Sequence, residues 1–268
     1  MKKSLQLLNA IAFVFVLIMN FLANTGLLNN TTIGEVSAQY NTLFTPAGYA
    51  FSIWGIIYLL VFGFIFYQSR SLFVSVRDDG FILTTGWWFV ISCIANCLWI
   101  VAWIYNYTLL SSVFIFLLLF SLLKIVLNNK MELFDAPITV IAFLWWPFVF
   151  YSGWVTVASI ANVSAVLVKY NWDGFGISPT VWTVLMLIIA AVINVVVTWS
   201  RNMREFALVG AWALIAIYVA NKNDNTVIAY TAISLAVILI ISSSIHAFKN
   251  RKTNPAIKCM EFFEGKTS

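Results

Sequence analysis

Eight long apolar runs constrain this chain more than any other feature. A helix needs roughly 20 apolar residues to cross the hydrocarbon core of a bilayer. Runs of this kind cover about 5–24, 48–68, 86–105, 107–127, 138–169, 179–199, 206–220 and 226–248. Only 9% of the residues are charged, against roughly 25% in a soluble domain. The sequence therefore predicts an all-α integral membrane protein with about eight transmembrane helices.

The placement of lysine and arginine predicts the orientation. With eight spans, all but two of the 15 Lys and Arg residues fall on one side, and only Lys169 and Lys222 on the other. Positive residues in short loops mark the cytoplasmic side, so both termini are expected there. The positions on that side are Lys2, Lys3, Arg70, Arg77, Lys124, Lys130, Arg201, Arg204, Lys249, Arg251, Lys252, Lys258 and Lys266. The basic charge is thus explained by topology, and no nucleic-acid partner is expected.

The ionisable residues argue against two functional classes. None lies near the middle of a predicted span, whereas proton pumps and ion-coupled carriers usually carry such residues at membrane depth. The Asp78–Asp79 and Glu132/Asp135 pairs have no histidine or phosphate-binding loop nearby, and solvated loops are the simpler interpretation of both. With no nucleophile beside a base and no metal-binding pattern, we expect no enzyme and no required cofactor.

Aromatic residues are frequent within the runs. They make up 17% of the chain and include 12 Trp, more than two interfacial belts require. On three helices they recur at three- and four-residue steps, which places them on one face. The three stripes are Phe51, Trp54, Gly55, Tyr58 and Phe62 on the second helix, Trp88, Ser92, Asn96, Trp99 and Trp103 on the third, and Pro147, Tyr151, Trp154, Ala158, Ala161, Asn162 and Ala165 on the fifth.

Two of these stripes also carry an asparagine. An amide in lipid is costly unless it is hydrogen-bonded, so Asn96 and Asn162 are expected to face protein, water or a ligand. One interpretation is that they tie helices together. The other is that amides and aromatic rings line a pocket for a flat apolar ligand. The coincidence of three stripes favours the pocket.

Three motifs in these stripes resemble the TspO/MBR family, the tryptophan-rich sensory proteins related to the translocator protein. Its patterns are Pro-x-Gly-x-x-Phe before Trp-x-x-x-Tyr, then Asn-x-x-Trp, then Tyr-x-x-Trp with Asn eight residues later. They are matched here by Pro46, Gly48, Phe51, Trp54 and Tyr58, by Asn96 and Trp99, and by Tyr151, Trp154 and Asn162. This chain lacks the family's Pro between Phe51 and Trp54, and Pro147 lies upstream of Tyr151 instead of directly before it.

The resemblance covers about residues 1–170 and implies a five-helix membrane domain whose pocket is closed by the first connection, about 25–47. Residues 171–268 are then a three-helix extension with a basic cytoplasmic tail, which has no counterpart in the five-helix family. Family members bind porphyrins and other apolar polycyclic molecules, so porphyrin or haem is the implied ligand. The implied pocket residues are Phe51, Trp54, Tyr58, Asn96, Trp99, Tyr151, Trp154 and Asn162. If porphyrin is broken down there, Trp54 and Trp154 are the implied redox-active rings.

The sequence thus predicts a protein of the bacterial plasma (inner) membrane that senses or transports a tetrapyrrole-like molecule. Its expected partners are the lipid bilayer and a small apolar ligand, and a homodimer is left open. Two alternatives remain. One is a small-solute permease in which the three extra helices complete a path. The other is an accessory or structural subunit whose tryptophan stripes serve packing alone.

Overall fold

The structure, a computed structural model, describes residues 1–76, 79–251 and 254–263. Within these ranges seven helical stretches are long and apolar enough to cross a membrane, and an eighth apolar helix has 17 residues, or about 26 Å at 1.5 Å per residue. The all-α prediction is confirmed. The predicted positions Arg77, Asp78, Lys252 and Lys266 lie outside the described residues.

Every predicted run forms a helix close to its predicted bounds. In chain order the α-helices are α1 (Lys2–Asn24), α2 (Ile33–Tyr40), α3 (Ile53–Ser69), α4 (Phe81–Thr85), α5 (Trp88–Ile104), α6 (Thr108–Asn128), α7 (Ile138–Val140), α8 (Trp146–Lys169), α9 (Pro179–Arg201), α10 (Arg204–Asn221), α11 (Thr226–Lys249) and α12 (Pro255–Phe263). A 3-10 helix, Gly48–Ser52, leads into α3, and another, Gly174–Gly176, precedes α9.

The fifth predicted span is continuous but irregular near its proline. Pro147 has no N–H to donate to the carbonyl of Phe143, and its ring would clash with that carbonyl in a regular helix. A π-helical turn, Ile141–Trp145, joins α7 to α8 just before the proline. Such a turn widens the backbone locally, and α8 then runs without interruption to Lys169.

The loops gather at two ends of the bundle. At one end, Lys2 Nζ lies 2.5 Å from Asp79 Oδ2, and Lys258 Nζ lies 2.9 Å from Asp135 Oδ1. At the other end, the Tyr40 hydroxyl donates to the connection between α5 and α6. These contacts place the loops that they join at opposite ends of the bundle, as the predicted eight crossings require. That the first end is cytoplasmic stays a prediction from the positive charges.

Helix α10 joins the C-terminal helices to the rest of the bundle. It packs against α8, α9 and α11. A Cβ on Gly153 of α8 would lie 3.3 Å from the backbone oxygen of Phe206, and a Cβ on Gly210 would lie 2.5 Å from Asn194 Oδ1 of α9. Small residues at these two positions let α10 approach both neighbours closely. The C-terminal helices thus pack against the N-terminal five-helix part mainly through α10.

The prediction that Glu132 lies in a solvated loop is wrong. Its side chain is 2% exposed, and its Oε2 lies 3.9 Å from Arg204 Nη2. The Asn202 side chain donates to the backbone carbonyl of Glu132 at 2.9 Å. Burial, with the neighbouring carboxylate of Glu205, raises the pKa of Glu132 to about 8, although Arg204 opposes the rise. The Glu132 carboxyl group, in the connection between α6 and α7, is thus buried inside the protein.

We expect Gly210→Ala to lower the melting temperature by a few degrees, because the new Cβ would overlap the Asn194 side chain and overpacking costs about 1–3 kcal/mol. The matched control is Gly55→Ala in α3, where a Cβ meets nothing within 4 Å. Alanine favours a helix by about 1 kcal/mol over glycine, so this control should keep or raise the melting temperature. Circular dichroism of purified protein measures both, and equal shifts would contradict the close α9–α10 contact.

Stability should fall as pH rises through the range that the Glu132 pKa defines. The folded state raises this pKa from 4.5 to about 8, so it binds the proton more tightly than the unfolded chain does. The free energy of unfolding then decreases between about pH 4.5 and pH 8. Glu132→Gln, which is neutral throughout, should flatten this dependence in thermal melts. Asp135→Asn, whose side chain is 64% exposed, is the control and should retain it; an unchanged slope in Glu132→Gln would refute the assignment.

Candidate functional site

The aromatic residues predicted on three helices meet around Trp54. The Trp54 ring stacks on Tyr58 with centroids 5.4 Å apart, and meets Tyr151 edge-on at 5.6 Å and Trp154 edge-on at 6.4 Å. Trp99 lies at 6.2 Å. These separations are typical of attractive aromatic pairs. Helices α3, α5 and α8 and the 3-10 helix before α3 thus contribute to one aromatic cluster, which consists of Phe51, Trp54, Tyr58, Trp99, Trp103, Tyr151 and Trp154.

Asn96 is hydrogen-bonded on both sides of its amide. Its Nδ2 donates to the Tyr151 hydroxyl at 2.9 Å, and its Oδ1 accepts from Asn20 Nδ2 at 3.1 Å. Asn20 lies on α1 and Tyr151 on α8. This one buried side chain therefore connects α5 to two other helices and fixes the position of the Tyr151 ring.

Asn162 makes a second set of interhelical bonds. Its Oδ1 accepts from Trp99 Nε1 at 2.9 Å, and its Nδ2 donates to Ser112 Oγ at 2.8 Å and to Ser111 Oγ at 3.0 Å. The residue thereby joins α8 to α5 and α6. For both asparagines the structure shows the helix-tying interpretation, since their amides are already paired within the protein.

Two indole N–H groups of the cluster are unpaired. Trp54 Nε1 and Trp154 Nε1 are buried and have no acceptor within hydrogen-bonding distance in the described part of the chain. Trp103 Nε1, by contrast, donates to the backbone carbonyl of Ile33 at 3.2 Å. A buried donor without a partner costs about 1–3 kcal/mol. The Tyr58 hydroxyl is also buried without a partner within the described residues, so the cluster holds three unpaired donors.

The space within the cluster is small. A cavity of about 40 Å³ is bounded by rings from α3, α5 and α8 and by the first connection. Its walls include Phe51, Trp54, Trp99, Trp103, Trp154 and Asn162, with Ile33, Ser37, Thr45 and Pro46 above them. This volume suits one water-sized group, whereas small-molecule sites measure about 300–1,000 Å³. A polycyclic ligand therefore needs the cover or the rings to move.

The cover is an ordered segment. Helix α2 begins with a capping box, in which Thr32 Oγ1 accepts from Glu35 N at 3.2 Å and Glu35 Oε2 accepts from Thr32 N at 2.7 Å. On one flank Asn29 Nδ2 donates to the carbonyl of Ile104 at 3.1 Å. On the other, the Tyr40 hydroxyl reaches the α5–α6 connection. The structure thus places the first connection over the predicted pocket.

The eight predicted residues divide into two groups. Phe51, Trp54, Trp99, Trp154 and Asn162 form cavity walls, whereas Tyr58, Asn96 and Tyr151 are outside the wall and hold Trp54 and one another in place. The predicted set omitted Trp103, which lines the cavity and stacks on Trp99 with centroids 6.3 Å apart. Its spacing of four residues from Trp99 was the available signal.

Two further residues refine the stripes. Asn20 supports Asn96 from α1, and a lone amide in an apolar run is the same signal that identified Asn96. Phe62 shares the predicted α3 stripe but is 58% exposed on the outer surface. The site therefore uses only the first two turns of α3.

Comparison with known families gives a match over most of the chain. A family model described as TSPO-like protein matches residues 6–245. The chain belongs to the TSPO-like protein family. The match continues past residue 170 through α9, α10 and most of α11, so these helices lie within the TSPO-like region. No curated protein and no solved structure shows significant similarity to the chain. Family and helices together make this TSPO-like chain an integral membrane protein.

We expect Asn162→Ala to destabilise the TSPO-like bundle, because it leaves Trp99 Nε1 without its acceptor and removes the bonds to α6. The cost should be about 1–3 kcal/mol, seen as a lower melting temperature. Asn128→Ala, at the exposed end of α6, is the control and should melt like the unmodified chain. Equal melting temperatures for the two variants would show that Asn162 does not hold the helices together.

Proposed function

We propose that this TSPO-like membrane protein binds a flat apolar ligand with hydrogen-bond acceptors, of the tetrapyrrole type, for sensing or transport. The proposed site is the aromatic cluster beneath the first connection. The pair of unpaired indole N–H groups at Trp54 and Trp154 carries the proposal. An acceptor on the ligand would recover the free energy that these buried donors lose in the free protein.

The chemistry of the cavity supports this ligand class. Four tryptophan side chains, Trp54, Trp99, Trp103 and Trp154, supply wall surface on which a flat ring system gains by stacking. The wall residues within the described part of the chain include no charged side chain. A charged group buried there would lose its hydration without compensation. A suitable ligand thus has an uncharged ring system and carries any carboxylates at its edge, outside the uncharged walls of the cavity.

Binding in this site requires an opening step. A cavity of about 40 Å³ cannot admit a polycycle until α2 or the rings move. The hydrogen bonds of Asn29 to Ile104 and of Tyr40 to Asn106 hold the cover at its two flanks. The free energy needed to open the site makes the net free energy of binding less favourable. We therefore expect a dissociation constant in the micromolar range, which corresponds to a binding free energy of about −8 kcal/mol.

The test is a titration of the purified full chain with protoporphyrin IX, followed by absorbance of the porphyrin. We expect saturable binding that Trp54→Phe and Trp154→Phe each weaken about 5- to 10-fold, the effect of one lost hydrogen bond. Trp145→Phe is the matched control. Its indole N–H is also buried and unpaired, but the ring packs edge-on against Phe134 at 5.0 Å, away from the cluster. This variant should bind as the unmodified chain does.

Two results would overturn the proposal: no saturable binding, or equal weakening in all three variants. Uptake of a small solute into proteoliposomes that is insensitive to Trp54→Phe and Trp154→Phe would instead indicate a permease. A melting temperature unchanged by every candidate ligand would indicate an accessory or structural subunit.

A further inference from the structure

A second and much larger cavity lies on the opposite face of α8. Its volume is about 650 Å³, within the range of small-molecule sites. Helix α8 turns Trp154 and Ala158 towards the aromatic cluster, and Thr156, Ile160 and Val163 towards this second cavity. Its other walls come from α6, α9 and the connections that precede α3 and α9. We call it the α8–α9 cavity.

The α8–α9 cavity has the depth of one bilayer leaflet. Helix α9 is held by α10 and α11 and touches α8 over a short stretch only. The wall residues of α9 run from Pro179 to Ile193, and those of α8 from Thr156 to Val168. At 1.5 Å per residue these stretches are about 20 Å long, compared with about 30 Å for the whole hydrocarbon core. The cavity thus reaches from one end of the bundle to about mid-membrane.

The inner walls of this cavity are mainly aliphatic. Leu119 of α6, Ile160 and Leu167 of α8, and Met186 and Ile193 of α9 line it. Phe44 and Phe116 also line the cavity, but aliphatic side chains outnumber the rings there and offer dispersion contacts to a hydrocarbon chain. The better fit is therefore a flexible hydrocarbon chain that enters from the surrounding leaflet.

A carboxylate and two tryptophan side chains form the mouth of the cavity. Among the wall residues in the described part of the chain, Asp173 is the one that carries a charge. Its carboxylate is exposed, and its Oδ1 accepts from Phe175 N at 3.0 Å. The Trp172 and Trp182 rings lie beside it with centroids 5.1 Å apart, and Trp182 Nε1 donates to the Gly174 carbonyl at 2.8 Å. Gly174 has φ +69°, and a Cβ there would lie 3.1 Å from Trp182 Nε1, so glycine is required. Tryptophan suits the membrane interface, and the Asp173 carboxylate attracts a cation and repels an anion.

We propose that the α8–α9 cavity binds the hydrocarbon chain of a single-chain amphiphile whose amine headgroup pairs with Asp173. The chain occupies the aliphatic part at one leaflet's depth, and the ammonium group lies at the mouth beside Trp172 and Trp182. This site is separate from the aromatic cluster and takes a different class of ligand, so it does not depend on tetrapyrrole binding.

Photolabelling of the full chain in phosphatidylcholine vesicles tests the proposal. The probe is a long-chain alkylamine with a diazirine in mid-chain, and the matched probe has the same chain with a carboxylate. We expect saturable labelling of α8 residues 156–168 and α9 residues 179–193, competed by unlabelled oleylamine. Half-saturation should need about five-fold less amine than carboxylate, and Asp173→Asn should abolish this preference.

A variant with a filled cavity separates specific binding from contact with bulk lipid. Val163→Trp/Met186→Trp places two indole rings in the space and should raise the half-saturation concentration by about ten-fold or more. Leu185→Trp is the control, because Leu185 is 40% exposed on α9 and is not a wall residue; its labelling should match the unmodified chain. Melting temperatures confirm that each variant folds, and protoporphyrin titration of the filled variant reports the other site separately.

Labelling that does not saturate, that shows no preference for the amine, or that persists in the filled variant would overturn the proposal. So would a dimer that dissociates when the cavity is filled, since a second copy of the chain would then occupy it. Saturable, amine-selective labelling that is lost in the filled variant and kept in Leu185→Trp would support it.

Discussion

The interior of this bundle depends on the cost of burying a side-chain amide in the hydrocarbon core without hydrogen-bond partners. Asn96 and Asn162 avoid this cost by reaching across to four neighbouring helices. In doing so they fix the Tyr151 hydroxyl and the Trp99 indole. The two amides thus help to set the arrangement of the rings around Trp54.

Helix α8 separates two environments because its two faces differ in composition. Its cluster face carries alanines that let large rings from α3 and α5 approach, and the resulting space is almost closed. Its other face is aliphatic and stands apart from α9. Near its start Gly153 admits α10 at close range. Helix α8 therefore packs against the other N-terminal helices, lines the α8–α9 cavity and contacts the C-terminal helix α10.

Local patterns predicted the helices and the faces that meet, because run length and the 3.6-residue period are properties of each segment alone. The period placed Trp54, Trp99 and Trp154 on the inner faces of their helices, and the resemblance to the TspO/MBR motifs assigned them, with Phe51, to one site. The partners of the amides, the residual volume among the rings and the burial of Glu132 could not be predicted. Each depends on how helices distant in sequence are rotated and spaced, as the Asn202–Glu132 and Asn20–Asn96 bonds show.

The first connection belongs to both cavities. Thr45 and Pro46 border the aromatic cluster, while Leu43 and Phe44 border the α8–α9 cavity, and the segment is fastened to α10 through Ala47 N and the Ala216 carbonyl at 3.0 Å. A displacement that enlarges one cavity therefore reshapes the wall of the other. Thermodynamic linkage then makes any resulting effect reciprocal: a molecule that changes affinity at one site has its own affinity changed by the same factor.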